Sequence, residues 1–433
     1  MQANAEPEFA AFAAIDWADQ KHFWMLAPAE SLNAPESGEL PNTPEAVNTW
    51  AAELAVRFGG RPIAVCLEQS RGPLVFMLMK YAHLVLYPVH PATSARYRAA
   101  WYPSGAKSDP SDTALLLEVV TRHRDRLRPL APDSPETRLL QMLVEQRRTA
   151  VDEKTALSNR LTARLKMFFP QMVRWFPDID AALVCALLQR WPTLKDLQAA
   201  HPGTLRKFFH AQNCRSEKLI QSRIDAVYTA QPATEDSAIL EAGALDVQQL
   251  AAQINVLRAN IAELEQRIAH RYTDHPDRFL YESLPGAGPA LEPRLLAAMG
   301  TDRNRYTDAE DIQKLSGIAP VTGRSGNTSF VAFRRACPKF LRQTFHEFAA
   351  HSIHHSVWAR ACYDQKRQAG KDHHAAVRVV AFKWIRILYR CWRDRQPYDE
   401  QRYLAALQRR NSPLTSITWQ SSAGFQKPGP LPA

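Results

Sequence analysis

The sequence has 433 residues with 45% hydrophobic and 23% charged side chains, a composition that predicts a globular protein of two or three domains. No apolar run approaches the length of about 18 residues that a membrane helix needs, so no membrane partner is expected. The first eight residues contain two acidic and no basic side chains, which predicts no signal peptide. The six cysteines are scattered without a C-x-x-C pair, which argues against disulfides or a cysteine zinc site and predicts a cytoplasmic location.

The net charge of +10 is concentrated in one segment. Between Arg324 and Arg402 there are 16 Lys/Arg and 6 Asp/Glu, whereas the rest of the chain contains 38 of each. This segment predicts a surface that faces a polyanion, and a solvated basic surface without a partner is the alternative. Aromatic residues lie among these cations at a helical spacing that favours a place in the core over stacking on bases: Trp358, Tyr363, Trp384, Tyr389 and Trp392.

The N-terminal part predicts a mixed α/β sheet. Two apolar runs around a short polar turn predict a β-hairpin, and a helix and two further strands with a helix between them follow. In chain order these are the strands Ala11–Asp16 and His22–Ala27, the helix Thr43–Phe58, the strand Pro62–Glu68, the helix Leu74–His83 and the strand Leu84–Val89.

The middle of the chain predicts long helices. One runs from Glu136 to Phe169, with leucines on one side and basic residues on the other. Short helices broken by prolines follow over 170–235. A second long helix then repeats apolar residues in steps of four and three from Leu250 to Ile268, which is a heptad pattern. The two long helices are predicted either to pair as an antiparallel arm or to pair with a second chain. After Pro276 the pattern indicates compact helices with glycine-containing turns, and the Ser-, Gln-, Gly- and Pro-containing tail predicts disorder.

Four carboxylates form the strongest chemical pattern. Asp16 and Glu68 each end a predicted strand, and Asp109 and Asp112 lie three residues apart at a predicted helix start. Clustered carboxylates need a cation, and their hard oxygen atoms suit Mg²⁺ or Mn²⁺. Taken singly, each residue is more typical of a turn or of a helix cap than of a metal site, and only their order along the chain favours the metal site.

Two glycine-containing turns follow in the C-terminal part. Leu284–Pro289 contains Gly286 and Gly288 and is similar to a helix-hairpin-helix turn that holds a DNA phosphate, although a plain turn between helices fits equally well. Val321–Asn327 contains Ser325, which is predicted to lie in a flexible loop beside Arg324 at the start of the basic segment. An ordinary loop serine is the alternative interpretation.

The order strand-Asp, hairpin, strand-Glu and Asp-x-x-Asp helix resembles the ribonuclease-H-like fold of the RuvC type. Further motifs follow in the same chain order, namely Lys107-Ser-Asp-Pro-Ser-Asp112, the Pro285–Gly288 turn, Leu315-Ser-Gly-Ile-Ala-Pro320 and Arg324-Ser325-Gly326. With them, the sequence resembles the DEDD-type insertion-sequence transposases, which are recombinases guided by a bridge RNA. The resemblance covers roughly residues 11–400 and implies an α/β plus α architecture. The expected domains are a RuvC-like domain (9–130), a helical linker and coiled-coil arm (131–275), a mainly helical serine-bearing transposase domain with helix-hairpin-helix-like turns (276–405) and a disordered tail (406–433).

The resemblance also implies a mechanism and partners. The four carboxylates would bind metal, and Ser325 would attack a DNA phosphate to form a phosphoserine link. The expected partners are target and donor double-stranded DNA, a structured non-coding guide RNA, and further copies of the chain as dimers that pair into tetramers. The expected setting is the cytoplasm of a prokaryote, at the nucleoid during activity. The candidate DNA- and RNA-binding residues are Arg324, Arg334, Arg335, Lys339, Arg342, Gly286, Gly288, Arg147, Arg148, Arg160 and Arg164.

The chain departs from the family pattern in two places. Thr113 follows Asp112 where many relatives have alanine, and residues 329–341 lack the usual glycine-containing basic turn, a difference that bears on the DNA contacts more than on the nucleophile. Ser283, Ser316 and Ser329 are the fallback nucleophiles. Two competing hypotheses are a RuvC-like metal-dependent DNA nuclease in which water attacks, and a structural DNA- or RNA-binding protein without catalysis.

Overall fold

The computed structural model describes residues 8–101, 108–326 and 328–414. These residues form two compact units whose boundary lies between Pro132 and Asp133. Within the described ranges, no helix is both long and apolar enough to cross a membrane.

The N-terminal unit is built on a five-stranded mixed sheet in the order β3-β2-β1-β4-β5. β1 pairs antiparallel with β2 and parallel with β4, while β2–β3 is antiparallel and β4–β5 parallel. β1 and β4 are apolar at almost every position because helices cover both faces of the sheet. The strands are β1 (Ala11–Asp16), β2 (Lys21–Pro28), β3 (Glu36–Pro41), β4 (Ile63–Leu67) and β5 (Leu84–Pro88).

The helices of this unit divide between the two faces of the sheet. Ile15 and Val65 point to the face covered by the first two helices, whereas Ala14 and Cys66 point to the face covered by the fourth. The helices are α1 (Pro44–Arg57), α2 (Pro73–Leu78), α3 (Pro91–Trp101) and α4 (Asp109–Arg122).

The predicted mixed α/β sheet is confirmed, with three differences. The helix predicted over Leu74–His83 ends at Leu78, because backbone turns around Tyr81 lead the chain into β5. Strand β3 was not predicted because it has no apolar alternation and forms by pairing with β2. Helix α3 was not predicted because most of its side chains are polar or small and exposed.

In its described residues, the C-terminal unit is mainly helical and contains one two-stranded hairpin, β6–β7. Its elements are α5 (Pro135–Phe168), α6 (Gln171–Trp175), α7 (Ala182–Arg190), α8 (Leu194–Ala199), α9 (Pro202–Ala211), α10 (Glu217–Thr229), α11 (Ser237–Thr273), α12 (Arg278–Glu282), α13 (Gly288–Met299), α14 (Ala309–Leu315), β6 (Val321–Ser325), β7 (Thr328–Ala332), α15 (Lys339–Ser352), α16 (Val357–Gln368), α17 (His373–Asp394) and α18 (Glu400–Arg409).

The two long helices α5 and α11 pack against each other and run antiparallel. Their direction follows from two ion pairs, in which Arg147 meets Glu265 and Arg160 meets Asp246. Leu250 and Ile254 of the heptad pattern are buried in a core shared with α5 and the short helices α6–α10. The two long helices therefore pair within one chain, and pairing of this arm with a second chain stays a prediction.

A second core holds the rest of the unit together around fully buried Trp358, Trp384 and Trp392. The interpretation as core is confirmed for these three and for Tyr389, whereas Tyr363 is only partly buried against this core. The predicted tail was wrong at its start, because residues 406–409 continue α18. Residues 415–433 of that tail lie outside the described residues.

Candidate active site

Asp16 and Glu68 lie at the same edge of the N-terminal sheet. β1 and β4 are parallel neighbours with Ile15 opposite Leu67, so the next residue of each strand emerges side by side at the carboxyl end. Both carboxylates are half-buried. Burial, reinforced by the Glu68 charge, raises the pKa of the adjacent Cys66 thiol far above its usual range, so this thiol stays protonated.

Helix α3 connects Glu68 with Asp112. Ser94 Oγ donates a hydrogen bond to Glu68 Oε1, and Arg98 Nε donates to Asp112 Oδ1 at 2.7 Å. Ser94 and Arg98 are four residues apart and therefore share one face of α3. Glu68 and Asp112 are thus held by neighbouring turns of one helix, and with Asp16 they form what we call the carboxylate edge.

Asp109 lies in the first turn of α4, three residues before Asp112, and is exposed. The helix start is fixed by a reciprocal capping box between Ser108 and Ser111. The predicted helix start is therefore confirmed, while Lys107 of the same motif lies outside the described residues. The i, i+3 spacing places Asp109 on the same side of the helix as Asp112.

The carboxylate edge suits a divalent cation by chemistry, because its donors are the hard oxygen atoms that Mg²⁺ and Mn²⁺ prefer. The side chains, however, are not gathered around one point. Among the residues that the structure describes, no group of three or more His, Cys, Asp or Glu side chains is placed to hold one metal ion. Asp112 instead pairs with Arg98, whose guanidinium supplies the positive charge that this nearly buried carboxylate needs.

Ser94 and Arg98 are the residues that sequence reasoning missed. Their signal was present, since His90-Pro91 is a helix start and the two polar side chains follow at an i, i+4 spacing. Sequence alone gave no reason to connect that face with the two carboxylates.

In the C-terminal unit, Ser325 ends strand β6 instead of lying in a loop, so that prediction was wrong. Thr322 pairs with Val331 and Arg324 pairs with Ser329, so the two strands stay paired almost to the turn that joins them. Asn327 at the tip lies outside the described residues. Ser325 is exposed, as is nearly all of the β6–β7 pair, which we call the serine hairpin.

The fallback serines occupy different environments. Ser316 is fully buried and donates to the carbonyl oxygen of Gln313. Ser283 is half-buried and donates to the carbonyl oxygen of Leu280. Ser329 is exposed like Ser325, but it lies on the opposite face of the hairpin because successive strand residues alternate in direction.

The basic residues around the serine hairpin differ in exposure. Arg324, Arg335 and Lys339 are exposed, whereas Arg334 donates through Nε to the carbonyl oxygen of Ala319 at 3.4 Å. Arg342 is half-buried and lies over the ring of Phe333, 5.1 Å from its centre. Arg378 lies 5.0 Å from the same ring, so Phe333 holds two cations beside the hairpin.

The Gly286–Gly288 turn joins α12 to α13. Both glycines have positive φ, 77° and 60°. A Cβ at Gly286 would lie 2.7 Å from His355 Cδ2 and 3.1 Å from the carbonyl oxygen of His351. Glycine is therefore required at 286 by packing, whereas Gly288 has no atom within 4 Å of such a Cβ. The phosphate-binding role of this turn stays a prediction.

The four candidate arginines of the arm all take part in ion pairs. Arg160 and Arg164 share Asp246, at 3.1 and 2.7 Å. Arg147 meets Glu265 across the two long helices at 2.5 Å. Arg148 meets Asp152 at 2.8 Å and Glu347 at 3.4 Å. Their binding of nucleic acid stays a prediction, and the structure gives them a further role within the arm.

A mixed sheet in the order 3-2-1-4-5, with acidic residues at the ends of its two central parallel strands, is consistent with an RNase H-like transposase domain. The family model of DEDD transposases of the IS110 type, described as a transposase, matches residues 13–170. A second model, described as a transposase of the IS116/IS110/IS902 family, matches residues 280–364, and together they match more than half of the chain. The chain belongs to the IS110/IS116 family of transposases.

Curated relatives agree with this assignment. The mini-circle putative transposase for IS117 from Streptomyces coelicolor is 26% identical over 93% of this chain and 98% of its own length. The IS110 uncharacterized 43.6 kDa protein from the same organism is 26% identical over 84% of this chain and 89% of its own. The IS900 uncharacterized 42 kDa protein from Mycobacterium paratuberculosis is 25% identical over 83% of this chain and 86% of its own.

Proposed function

We propose that this transposase mobilises its insertion sequence as an RNA-guided recombinase that cleaves and rejoins DNA through Ser325. The observation that carries the serine assignment is the position of Ser325: an exposed hydroxyl at the end of β6, next to Arg324 and within the basic segment. Of the other candidate serines, two are withdrawn from solvent and one faces the opposite way.

The proposed cleavage step needs no reactant other than the protein and the DNA. Oγ of Ser325 forms a bond to the DNA phosphorus, the bond from that phosphorus to a sugar oxygen breaks, and the hydroxyl proton ends on the departing oxygen. The energy of the phosphodiester is kept in the phosphoserine bond, so a sugar hydroxyl of another strand can reverse the step and complete strand exchange. Arg324, beside the nucleophile, is suited to hold the phosphate through two parallel N–H donors.

The carboxylate edge is proposed to assist this step. Asp16, Glu68 and Asp112, with Asp109 at the open end of α4, would hold Mg²⁺ or Mn²⁺, which when bound lowers the pKa of the attacking hydroxyl and offsets developing negative charge. The chain's own contribution is orientation. Ser94 fixes Glu68, and Arg98 keeps the Asp112 carboxylate in place.

RNA guidance is supported by the family resemblance and by the concentration of positive charge. An excess of cations in one segment fits a polyanion without fitting one base sequence, as expected if pairing with a guide RNA reads the target. Assembly into dimers and tetramers belongs to the same proposal. Co-expressing the chain with the non-coding DNA that flanks its gene, and sequencing the RNA that co-purifies, tests the guide; recovery of no specific RNA would contradict it.

The serine assignment is tested on a DNA substrate nicked beside the cleavage site, which traps the covalent intermediate. We expect a protein–DNA adduct with the wild type and with Ser329→Ala, the matched control on the opposite hairpin face, and none with Ser325→Ala. Strand cleavage that survives Ser325→Ala would instead identify the metal-dependent nuclease, in which water attacks.

A further inference from the structure

The serine hairpin carries a large apolar side chain that is not part of any core. Phe330 on β7 is 57% exposed although its ring lies across the neighbouring strand. Its cross-strand partner is Gly323, and a Cβ at that position would lie 2.3 Å from Phe330 Cζ. The absence of a side chain at Gly323 is therefore what allows the ring to lie over β6. This cross-strand contact fixes the ring on one face of the hairpin.

Phe330 shares that face with Ser325. In an antiparallel pair, directly opposed residues point to the same side, so Gly323 with Phe330 and Ser325 with Thr328 lie on one face. Phe330 is the diagonal neighbour of Ser325, at roughly 7 Å, within the reach of an aromatic side chain. The opposite face carries Val331, which is also apolar and 69% exposed.

The charge around the hairpin indicates what covers this face. From Arg324 to His346 the chain contains five Lys/Arg and no Asp/Glu. Arg378 adds a further positive charge, because its guanidinium lies over the ring of Phe333 together with that of Arg342. A second protein surface would have to be acidic to meet this segment, whereas DNA supplies a polyanion together with apolar base faces. A two-stranded ribbon also has the width that fits a major groove.

We propose that Phe330 contacts the DNA base next to the phosphate attacked by Ser325. Aromatic side chains stack on bases without regard to their identity, and apolar wedges between base steps unstack and kink the duplex. A ring held over Gly323 would separate the two stacked bases beside the target phosphate. It would thereby hold that phosphate in front of the Ser325 hydroxyl. The position of the contacted base rests on the proposed function, whereas the contact itself does not.

The test uses the full chain, co-expressed with the flanking non-coding DNA, in a Ser325→Ala background that prevents the serine chemistry. The probe is a duplex of the element's own end sequence, with 2-aminopurine placed in turn at each position beside the mapped cleavage phosphate. Fluorescence of this base rises when it leaves the stack. We expect a rise with Ser325→Ala alone and with added Val331→Ala, and no rise with added Phe330→Ala. DNA affinity should fall about tenfold for Phe330→Ala only.

A third variant moves the ring without removing it. Gly323→Ala places a Cβ where the phenyl lies, so the ring must shift, and we expect most of the fluorescence rise to be lost. Equal fluorescence and affinity for the Phe330→Ala and Val331→Ala variants would overturn the proposal. A change in oligomeric state for Phe330→Ala without DNA, at unchanged DNA affinity, would also overturn it and assign the face to a second copy. If Ser325 is not the nucleophile, the adduct assay fails while this fluorescence result stands.

Discussion

The carboxylate edge and the serine hairpin differ in how much protein surrounds them. Asp16 and Glu68 extend from two of the most buried strands of the sheet, and Asp112 is 5% exposed. Ser325 lies on a hairpin in which almost every residue is exposed. Hydrogen bonds from Ser94 and Arg98 hold Glu68 and Asp112 individually, whereas the hairpin is ordered mainly by the pairing of its two strands. We infer that the carboxylate edge completes its geometry only with a bound cation and that the exposed serine hairpin is immobilised by its nucleic-acid partner.

The largest expected effect is at the carboxylate edge. Glu68→Gln keeps the size of the side chain and removes its charge, so we expect recombination to fall roughly 10³-fold while the protein stays folded. Glu39→Gln is the matched control, because Glu39 is an exposed carboxylate of the same sheet that pairs with Lys21. Strand-exchange assays on both variants check the prediction, and equal activities would contradict it.

Removing Arg98 should reveal how Asp112 is neutralised. Arg98→Gln removes the ion-pair partner of a nearly buried carboxylate, and we expect the free energy of unfolding in EDTA to fall by about 2 kcal/mol. This is less than for a fully buried pair, because the Arg98 side chain is 20% exposed. Added Mg²⁺ should recover much of the loss if Asp112 binds it.

Denaturant unfolding with and without Mg²⁺ measures this effect. Arg122→Gln serves as control, because its pair with Glu118 on α4 is largely exposed and contributes little. A loss for Arg98→Gln that Mg²⁺ leaves unchanged would argue against a metal at Asp112.

A smaller effect is expected at the residue that orients Glu68. Ser94→Ala removes the hydroxyl that donates to Glu68 Oε1, and partners of this kind typically change activity by 10–100-fold. Thr93→Ala is the control, since Thr93 is exposed on the same helix. The assay is strand exchange over a range of Mg²⁺ concentrations. Higher Mg²⁺ should restore the Ser94→Ala variant in part, and full activity at low Mg²⁺ would remove Ser94 from the site.

The smallest effect is expected on the stability of the hairpin. Phe330→Ala should change the free energy of unfolding by less than about 0.5 kcal/mol, because the side chain is 57% exposed. Ile15→Ala, at a fully buried position of β1, should cost about 2–5 kcal/mol. Thermal or denaturant unfolding of the two variants compares the regions directly. A large loss for Phe330→Ala would show that the hairpin is part of a core.

The sequence predicted the buried edge better than the exposed hairpin. Strands β1 and β4 could be predicted because a strand covered on both faces needs a continuous apolar run. A carboxylate that follows such a run must lie at the edge of the sheet. The long helix that contains the heptad pattern from Leu250 to Ile268 could be predicted for the same reason, since burial dictates the residue type at every third or fourth position.

The rest depends on contacts between distant parts of the chain. The pairing of Arg98 with Asp112 requires α3, whose sequence has almost no apolar side and so gave no helical pattern. The serine hairpin was taken for a loop because Gly323, Gly326 and Asn327 are turn residues, and because exposed strands are not required to alternate. The hairpin is held by hydrogen bonds between the two backbones, and such pairing leaves no pattern in the side chains from which it could be predicted.

The central claim is that the carboxylate edge and Ser325 act in one reaction, and adduct formation by Asp16→Asn tests it most directly. On the nicked substrate, the account predicts that Asp16→Asn binds DNA with unchanged affinity yet forms no phosphoserine adduct, as Ser325→Ala does. An adduct from Asp16→Asn at wild-type yield would contradict the account, because the serine would then react without the carboxylates.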